Sequence, residues 1–440
     1  MRSTWLACIL ALGWSSWMRA QTPIIFRDAL ALTQRYNQQL HAADAQVDRS
    51  RATRAAAQGL YFPSVSASGW YAHLNDHLFV DVNGQQAVVL RNDPYKVSLN
   101  SRWTVFAGGA ILAANREAQA GVAVAERERQ QTRQGVTTEL VERYFKRRLA
   151  AVVLEVRRQA LETFCRHLED AHRLKTAGQI ARTDELRAEV AHAEADREFK
   201  KAARDVDLAT VALRSTLGNE IDALPTTPLA LITRLEPLTT FAAAADSGNA
   251  TIGRLAALRE QAHQGVRAAR AELFPSISVL GTYELLQGRL NTTTDPQWIV
   301  GVGARWELFD GFTRVNRIRA ARELEAAVGS GHARARDEVA TLVKQRYNEY
   351  EAAREQYQAL ETTVALARES LRSEQRAYEA AVGTSLNVID AELSLSRAQV
   401  DRLTALYDLN VAVARLLEAS GRSDRFLEYL DRATPAEEPR

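Results

Sequence analysis

The sequence reads FPSVS at residues 62–66 and FPSIS at residues 274–278. Two other segments also return in the same order: RWTVFAG (102–108) as RWELFDG (305–311), and DELRAE (184–189) more loosely as NVIDAE (387–392). A repeated unit of roughly 200 residues is far longer than the unit of a solenoid. We therefore expect two half-structures side by side in one molecule, at residues 21–220 and 249–420.

Each half contains a long run without proline, the residue that a helix interior tolerates least. There is no proline at residues 95–224 or 297–434. A glycine interrupts each run, Gly178 in the first and Gly383 in the second, and apolar periodicity resumes beyond it. This pattern predicts two long helical hairpins with their tips at these glycines. At a rise of ~1.5 Å per residue, the first arm would be ~100 Å long.

Apolar residues in these runs recur in steps of three and four, the spacing of a coiled coil. The clearest series in the second hairpin is Leu386, Ile389, Leu393, Ser396, Val400, Leu403 and Tyr407. Arg, Glu and Ala fill the flanking positions. The helices are therefore expected to pack on one another along their length.

Alternating segments precede each long helix and predict strands. One face of the first segment carries Val97, Leu99, Trp103 and Val105, and one face of the second carries Trp298, Val300, Val302 and Trp306. Their partners begin just after Pro63 and Pro275. The result is two β-hairpins, at about 64–106 and 276–309. Asn83-Gly84 favours a turn in the first, and the second would turn through residues 291–296.

Tryptophan is concentrated in these strands. Of seven tryptophans, three lie in the first 20 residues, and the other four are Trp70, Trp103, Trp298 and Trp306. Strands of about 10 residues with one apolar face have the length of outer-membrane strands, whose ends carry interfacial aromatic residues. We expect these four to contact outer-membrane lipid at the membrane interface. The alternative is a small soluble sheet with tryptophan in its core.

Residues 1–20 have the pattern of a secretory signal. Arg2 precedes the mainly apolar stretch 5–17, and cleavage would follow Ala20. No other segment approaches 18 apolar residues, so no inner-membrane helix is expected. Cleavage would leave Cys165 as the only cysteine, which excludes an intrachain disulfide.

Charge and motifs argue against an enzyme or a nucleic-acid-binding protein. Without Arg2 and Arg19, the 56 basic residues become 54 and equal the 54 acidic residues, and no basic patch stands out. There is no phosphate-binding glycine loop with lysine and no nucleophile elbow. His167 and His172 do not share a helical face, and we expect both to be solvated. No catalytic residue, metal or cofactor is predicted.

Four strands per chain cannot close a barrel, and open sheet edges are not tolerated in hydrocarbon. The chain is therefore expected to oligomerise. If several copies contribute four strands each, their helical hairpins hang from one side of the pore and pack into a long hollow cylinder. Such a cylinder would form a duct across the periplasm.

The paired FPS segments, the Trp-x-x-Phe-x-Gly segments at Trp103 and Trp306, and the segments at 183–189 and 387–392 together resemble the TolC-like outer membrane efflux proteins. The resemblance covers nearly the whole mature chain. It implies a homotrimer with a 12-stranded transmembrane β-barrel continuous with an α-helical tunnel. It also implies an equatorial linker at 221–248, joined by the C-terminal tail at 421–440, whose last six residues are expected to be disordered.

The same resemblance implies a gate and docking tips at the periplasmic end. Asp390 matches an acidic ring of the tunnel, and Asn387 stands where a second carboxylate is common, so the negative ring is weaker here. Asp184, next to Thr183, matches an aspartate that links helices. Gly178 and Gly383 are the tips that would dock a periplasmic adaptor, which in turn joins an inner-membrane transporter.

The sequence therefore predicts an export duct without catalytic activity, located in the outer membrane and extending into the periplasm. It would conduct passively what the inner-membrane pump of a tripartite efflux system delivers. The same duct serving one-step (type I) protein secretion is an alternative. A periplasmic coiled-coil adaptor or scaffold would share the helical hairpins, but it would lack two strand pairs marked by tryptophan.

Overall fold

The computed structural model describes residues 22–76, 78–82, 84–90, 92–218, 221–287, 298–380 and 382–436. The expected signal at 1–20, Asn83 and the expected turn at 291–296 lie outside the described residues. Within the described ranges the chain is mainly helical with a small β part, which confirms that part of the expected fold class; the trimer and its 12-stranded barrel stay predictions.

The first half of the chain contains β1 (Thr22–Ile24), α1 (Phe26–Tyr36), α2 (Gln38–Gln58), β2 (Ser64–Tyr71), β3 (Leu78–Val82), β4 (Gln85–Leu90), β5 (Tyr95–Ala107), α3 (Ala110–Thr176) and α4 (Arg182–Thr216). A connecting segment contains β6 (Ala223–Pro225) and β7 (Ala230–Leu231). The second half contains α5 (Leu238–Gly248), α6 (Ala250–Ala271), β8 (Ser276–Gln287), β9 (Trp298–Arg305), α7 (Thr313–Glu379) and α8 (Ser385–Ala419). The chain ends with α9 (Phe426–Arg432) and β10 (Thr434–Pro435), and short 3₁₀ turns lie at Gly59–Tyr61 and Ser423–Arg425.

The two halves have matching dimensions. Helices α3 and α7 are both 67 residues long, or ~100 Å at ~1.5 Å per residue. Their antiparallel partners α4 and α8 are both 35 residues long. Each half is therefore a short helix pair, a strand pair and a long helical hairpin.

In each half, an asparagine caps the second short helix and hydrogen-bonds the end of the long hairpin. Asn37 caps α2 through the backbone N–H groups of the first turn, and its side-chain amide donates to the Thr216 carbonyl at the end of α4 (3.0 Å). Asn249 caps α6 in the same way and donates to the Ala419 carbonyl at the end of α8 (2.9 Å). Each asparagine thus satisfies orphan donors of one helix and an orphan acceptor of another.

The four main strands form one antiparallel sheet in the order β2-β5-β8-β9. Ser64 lies opposite Arg102, and Ser276 lies opposite Arg305, so the start of each first strand meets the end of each second strand. All four connections to the helices therefore leave from one end of the sheet. The strand pair β3-β4 is a separate two-stranded ribbon with Gly84 in its turn.

The largest core lies around the middle of the long helices, where β1, β6, β7 and α9 surround them. Phe26, Tyr144, Phe145 and Phe426 form an aromatic cluster with ring centroids 5.3–6.3 Å apart. The Tyr144 hydroxyl donates to the Ile24 carbonyl (2.7 Å), and burial raises its pKa. We call β1, β6, β7 and α9 the belt, because they surround the long helices. The belt packs the connecting segment and the C-terminal segment against these helices.

The C-terminal segment is folded further than the sequence indicated. Pro435, expected to begin a disordered tail, pairs with Ala230 in an antiparallel bridge, and the Ala436 N–H donates to the Leu229 carbonyl (3.1 Å). Only residues 437–440 of that tail lie outside the described residues. The expectation failed at Pro435 because the pairing partner is about 200 residues away, and local composition cannot reveal it. In the described part of the chain, no helix combines the length and apolarity needed to cross a bilayer.

Candidate functional site

The four-stranded sheet carries mainly apolar side chains on one face and mainly polar side chains on the other. Strand parity groups Val65, Leu99, Tyr283, Val300 and Val302 on one face, and all are exposed. A soluble sheet buries its apolar face in a core. The tested alternative, a sheet with tryptophan in its core, is not what this chain shows, since all four strand tryptophans are at least two-fifths exposed.

The opposite face carries a ladder of hydrogen-bonded polar side chains across β2, β5 and β8. Ser68 and Ser98 lie 3.2 Å apart, and Asn100 donates to Ser68 (3.0 Å) and accepts from Thr282 (3.2 Å). Lys96 forms an ion pair with Glu284 on the same face. A sheet with a polar inner face and an apolar outer face has the pattern of an outer-membrane barrel wall.

Trp103 and Trp306 occupy matching places in the two halves. The Trp103 indole N–H donates to the Tyr61 carbonyl (2.9 Å), and the Trp306 indole N–H donates to the Leu273 carbonyl (3.1 Å). Both rings belong to the apolar face at the end where the helices begin. Each therefore has an apolar body and a satisfied polar group, as interfacial tryptophans do.

The other two tryptophans differ from each other. Trp298 lies on the apolar face, opposite Tyr283. Trp70 lies opposite Lys96 and shares the face of Ser68, so the register places it on the polar face of the sheet. Of the four predicted interface residues, Trp70 thus has surroundings that differ from the prediction. The alternation of Ser66, Ser68 and Trp70 with Val65, Ala67 and Gly69 already contained this signal.

At the other end of the long helices, the two hairpin tips are built differently. Gly178 has a φ of 69°, its N–H donates to the Lys175 carbonyl (2.9 Å), and a Cβ added there would meet nothing within 4 Å. Gly383 does not have a positive φ, and an added Cβ would lie 3.0 Å from the backbone and Cβ of Ala377. The first tip therefore needs glycine for its backbone conformation, and the second needs it for space.

The structure places the gate candidates of the second hairpin at the start of α8. Asp390 is exposed, next to the buried Ile389. Asn387 is also exposed, and it forms a reciprocal cap with Thr384: the Thr384 hydroxyl accepts from the Asn387 N–H (3.3 Å) and donates to its side-chain oxygen (3.1 Å). Asn387 thus has a local role in starting α8.

The gate candidates of the first hairpin lie at the start of α4. Thr183 is exposed, and Asp184 accepts from Arg187 of its own helix (3.4 Å). Asp184 was expected to link helices, but within this single chain its ion pair stays inside α4. Asp184 and Asp390 therefore lie on neighbouring hairpins, without a direct contact between them.

A buried carboxylate beside Asp184 was missed by the sequence analysis. Glu185 is 1% exposed and accepts from Lys175 (2.7 Å), from Arg182 and from His172 (2.6 Å). Hydrogen bonds lower the pKa of Glu185 to about 2, with the largest effect from Lys175 and smaller effects from Arg182 and His172. The cluster joins the end of α3 to the start of α4. Only the Arg182–Glu185 spacing of three residues hinted at it.

His172, Glu185 and Glu189 also have potential metal-ligand atoms within 4.8 Å of one another. However, one oxygen of Glu185 already accepts from Lys175 and Arg182 and the other from His172, and Glu189 accepts from Arg182 (3.1 Å). A metal ion would have to displace these donors. The cluster is therefore best described as an ion-pair clasp of the first hairpin.

A cavity of about 600 Å³ separates the two hairpins above the tips, lined by α3, α7 and α8. His167, expected in solvent, is half-buried there, and a hydrogen bond of 2.7 Å joins it to Ser385 at the start of α8. Burial lowers the pKa of His167, while it raises the pKa values of Glu392 and Tyr378. The expectation of solvation was wrong because the second hairpin covers this face of α3.

Comparisons with known proteins agree with this architecture. Three solved structures illustrate the similarity: a membrane protein from Pseudomonas aeruginosa (17% identity, TM-score 0.79, 90% of each chain covered), the CmeC outer membrane channel of Campylobacter jejuni (14%, 0.78, 93% of this chain and 90% of that one) and the open state of the MtrE outer membrane channel of Neisseria gonorrhoeae (19%, 0.74, 90% and 89%). At these identities the likeness establishes the fold. No curated protein matches the sequence.

The family comparison covers both halves. The family model described as outer membrane efflux protein matches residues 30–219 and 243–422, which include both strand pairs and both long hairpins. This confirms the resemblance inferred from the repeated segments. The chain belongs to the outer membrane efflux protein family.

Proposed function

We propose that the protein is the outer-membrane duct of a tripartite efflux system and conducts passively what an inner-membrane pump and a periplasmic adaptor deliver. The observation that carries this proposal is a sheet with an exposed apolar face and a polar opposite face, joined at one end only to helical hairpins ~100 Å long. A sheet with its apolar side chains on one face and its polar side chains on the other suits a wall with lipid outside and water inside. The hairpins suit a tunnel extending away from the membrane.

The edges of the sheet support a closed trimer. Strands β2 and β9 are the two edges, and an antiparallel sheet of four strands leaves them running in opposite directions. Strand β9 of one copy can therefore pair antiparallel with β2 of the next, as a barrel without open edges requires. Three copies would give 12 strands. No backbone edge would then face lipid.

The hairpin tips offer a surface for the adaptor. Leu186 and Val190 of α4 and Leu386 and Leu393 of α8 are exposed and line an apolar groove of about 330 Å³. An adaptor helix could bury its apolar stripe in this groove.

The decisive experiment combines fractionation with conductance. We expect the protein to sediment with the outer membrane, to run as a detergent-stable trimer after crosslinking, and to form channels in planar bilayers. Recovery as a soluble monomer would contradict the proposed barrel. Export assays with small toxic compounds, set against export of a secreted protein substrate, would separate efflux from one-step protein secretion.

A second experiment tests the docking groove. Val190→Arg should abolish export while the trimer and its channels persist, because a charge would enter the apolar groove. Val190→Ala serves as the matched control and should retain export. Undiminished export by Val190→Arg would mean that the adaptor binds elsewhere.

A further inference from the structure

Two arginines occupy matching places at the helix end of the sheet. Arg102 precedes Trp103, and Arg305 precedes Trp306. Arg102 lies opposite Ser64, and the Ser64 hydroxyl donates to its carbonyl (3.2 Å). Arg305 lies opposite Ser276 with the equivalent hydrogen bond (3.4 Å). The duplication has therefore kept the place of each arginine within its own strand pair, with Arg102 opposite Leu280 and Arg305 opposite Ser276 of β8.

Strand parity places both arginines on the polar face. Arg102 alternates with Trp103 and has the parity of Asn100 and Thr104, which belong to the hydrogen-bonded polar ladder. Arg305 is two residues from Gly303 on β9 and therefore faces the same side of the sheet. A Cβ added at Gly303 would contact Leu280, which lies on the polar face. Since the tryptophans point to the apolar face, each Arg-Trp pair directs its charge to one side and its ring to the other.

Neither arginine side chain has an ion-pair or hydrogen-bond partner among the described residues, and both are exposed. Other charges near them are engaged elsewhere or lie past the strand. Lys96 pairs with Glu284 on the same face, and Asp310 accepts from the guanidinium of Arg314 (2.9 Å). Glu307 lies beyond the end of β9 and forms no ion pair with either arginine. In the part of the chain that the structure describes, the polar face thus carries two positive charges without an ion-pair partner, both near the helix end of the sheet.

We infer that Arg102 and Arg305 line the inside of the barrel where it meets the tunnel and bind the phosphate, sulfate or carboxylate groups of anionic solutes that pass through. The inference rests on the proposed trimer, in which three copies would bring six guanidinium groups to the end of the barrel from which the helices leave. Guanidinium groups bind such anions through paired N–H donors. A ring of like charge within low-dielectric walls also concentrates counter-ions strongly.

The test measures block of single-channel current by inorganic tripolyphosphate in planar bilayers of neutral lipid. The double variant Arg102→Gln/Arg305→Gln should weaken this block about tenfold or more, because local anion concentration falls with the ring charge. Arg102→Lys/Arg305→Lys keeps the charge and should retain most of the block. Arg27→Gln is the matched surface control, since Arg27 pairs with Asp431 in the belt, and it should leave block unchanged.

The outcomes separate this inference from the proposed function. If the wild type forms no channels, the proposed duct is wrong, and this inference is wrong with it. Wild-type channels with equal block in the double glutamine variant would overturn the inference alone. Should that variant fail to assemble, each single glutamine variant must still weaken block measurably for the inference to stand. If the variants lose only insertion into anionic lipid and keep block, the arginines bind headgroups and the inference is wrong.

Discussion

Gly178 and Gly383 end the two long helices, but they are constrained by different forces. At Gly178 the φ of 69° is costly for most side chains, although the surrounding space is open. At Gly383 the φ is not positive, but an added Cβ would lie only 3.0 Å from Ala377, closer than side chains normally pack. A bulky side chain at Gly383 would therefore disturb the tip itself. It would not report cleanly on adaptor docking.

We expect Gly178→Val to loosen the first tip, because a left-handed conformation costs an L-residue ~1–2 kcal/mol. Gly178→Asn should be tolerated far better, since asparagine visits this region more readily. Hydrogen exchange of the Gln179 amide, which donates to the Leu174 carbonyl (2.9 Å), measures the effect directly. The matched control is Gly59→Val, because Gly59 has a φ of −56° and open space. Equal protection of the Gln179 amide in both Gly178 variants would contradict the argument.

At the scale of elements, the faces of the sheet make the four tryptophans distinguishable. In single-tryptophan variants, lipid-borne quenchers should dim Trp103 and Trp306, whose rings lie on the apolar face and are expected at the membrane boundary. Trp70, on the polar face opposite Lys96, should be quenched less. A water-soluble quencher added from outside should quench Trp70 more strongly than Trp103 and Trp306. Equal lipid quenching at Trp70 and Trp103 would mean that the two faces are not separated by a barrel wall.

The contact between the hairpins is expected to weaken in acid. Burial lowers the pKa of His167, with Asp170 opposing the shift, so the unfolded chain binds the proton more tightly than the folded one. The contribution of His167 to stability is therefore complete above its ordinary pKa of about 6.5 and declines as the pH falls below it. The other charged groups that line this cavity are Arg166, Asp170, Glu379 and Glu392. The ring centroids of Tyr378 and His167 lie 5.8 Å apart.

The measurement is the melting temperature from about pH 7.5 to pH 5.5 for the wild type and for His167→Gln. The wild type should lose more stability on acidification than the variant. His41→Gln, at an exposed histidine on α2, should follow the wild type. Parallel curves for wild type and His167→Gln would show that His167 does not titrate in this interval.

Features that depend on neighbours in sequence were predictable, and those that depend on distant partners were not. The proline-free runs and interrupting glycines predicted helices α3 and α7 closely, because proline excludes a helix locally. Alternation likewise revealed the strands. By contrast, the bond between His167 and Ser385 joins residues 218 positions apart. The pairing of Pro435 has the same origin in tertiary packing, which periodicity does not encode. The Glu185 clasp is closer in sequence, but it forms only because α4 folds back against the end of α3.

In the proposed trimer, each charged residue would be present in three symmetry-related copies. A single exposed carboxylate on a coiled coil is an ordinary solvated group. Around a symmetry axis in a narrow tunnel, three of them repel one another and attract cations. The proposed duct would then hold acidic groups at its periplasmic end and the arginine ring at the base of its barrel. Cation block and anion block are accordingly expected to respond to different residues.

The last prediction concerns the proposed gate at Asp390 and Asn387. Asp390→Ala should reduce cation selectivity and relieve block by divalent cations in planar bilayers, because the trimer would lose its proposed ring of three carboxylates. Asn387→Asp should strengthen the block by adding three charges. An aspartate there can still accept from the Thr384 hydroxyl, and a negative charge in the first turn favours the α8 helix dipole, so the tip should stay folded. Asp424→Ala, at an exposed belt position, is the control that should change neither property. Unchanged selectivity and block in both tip variants would show that this face of α8 points away from the tunnel, and Asp390 would then be a solvated surface charge.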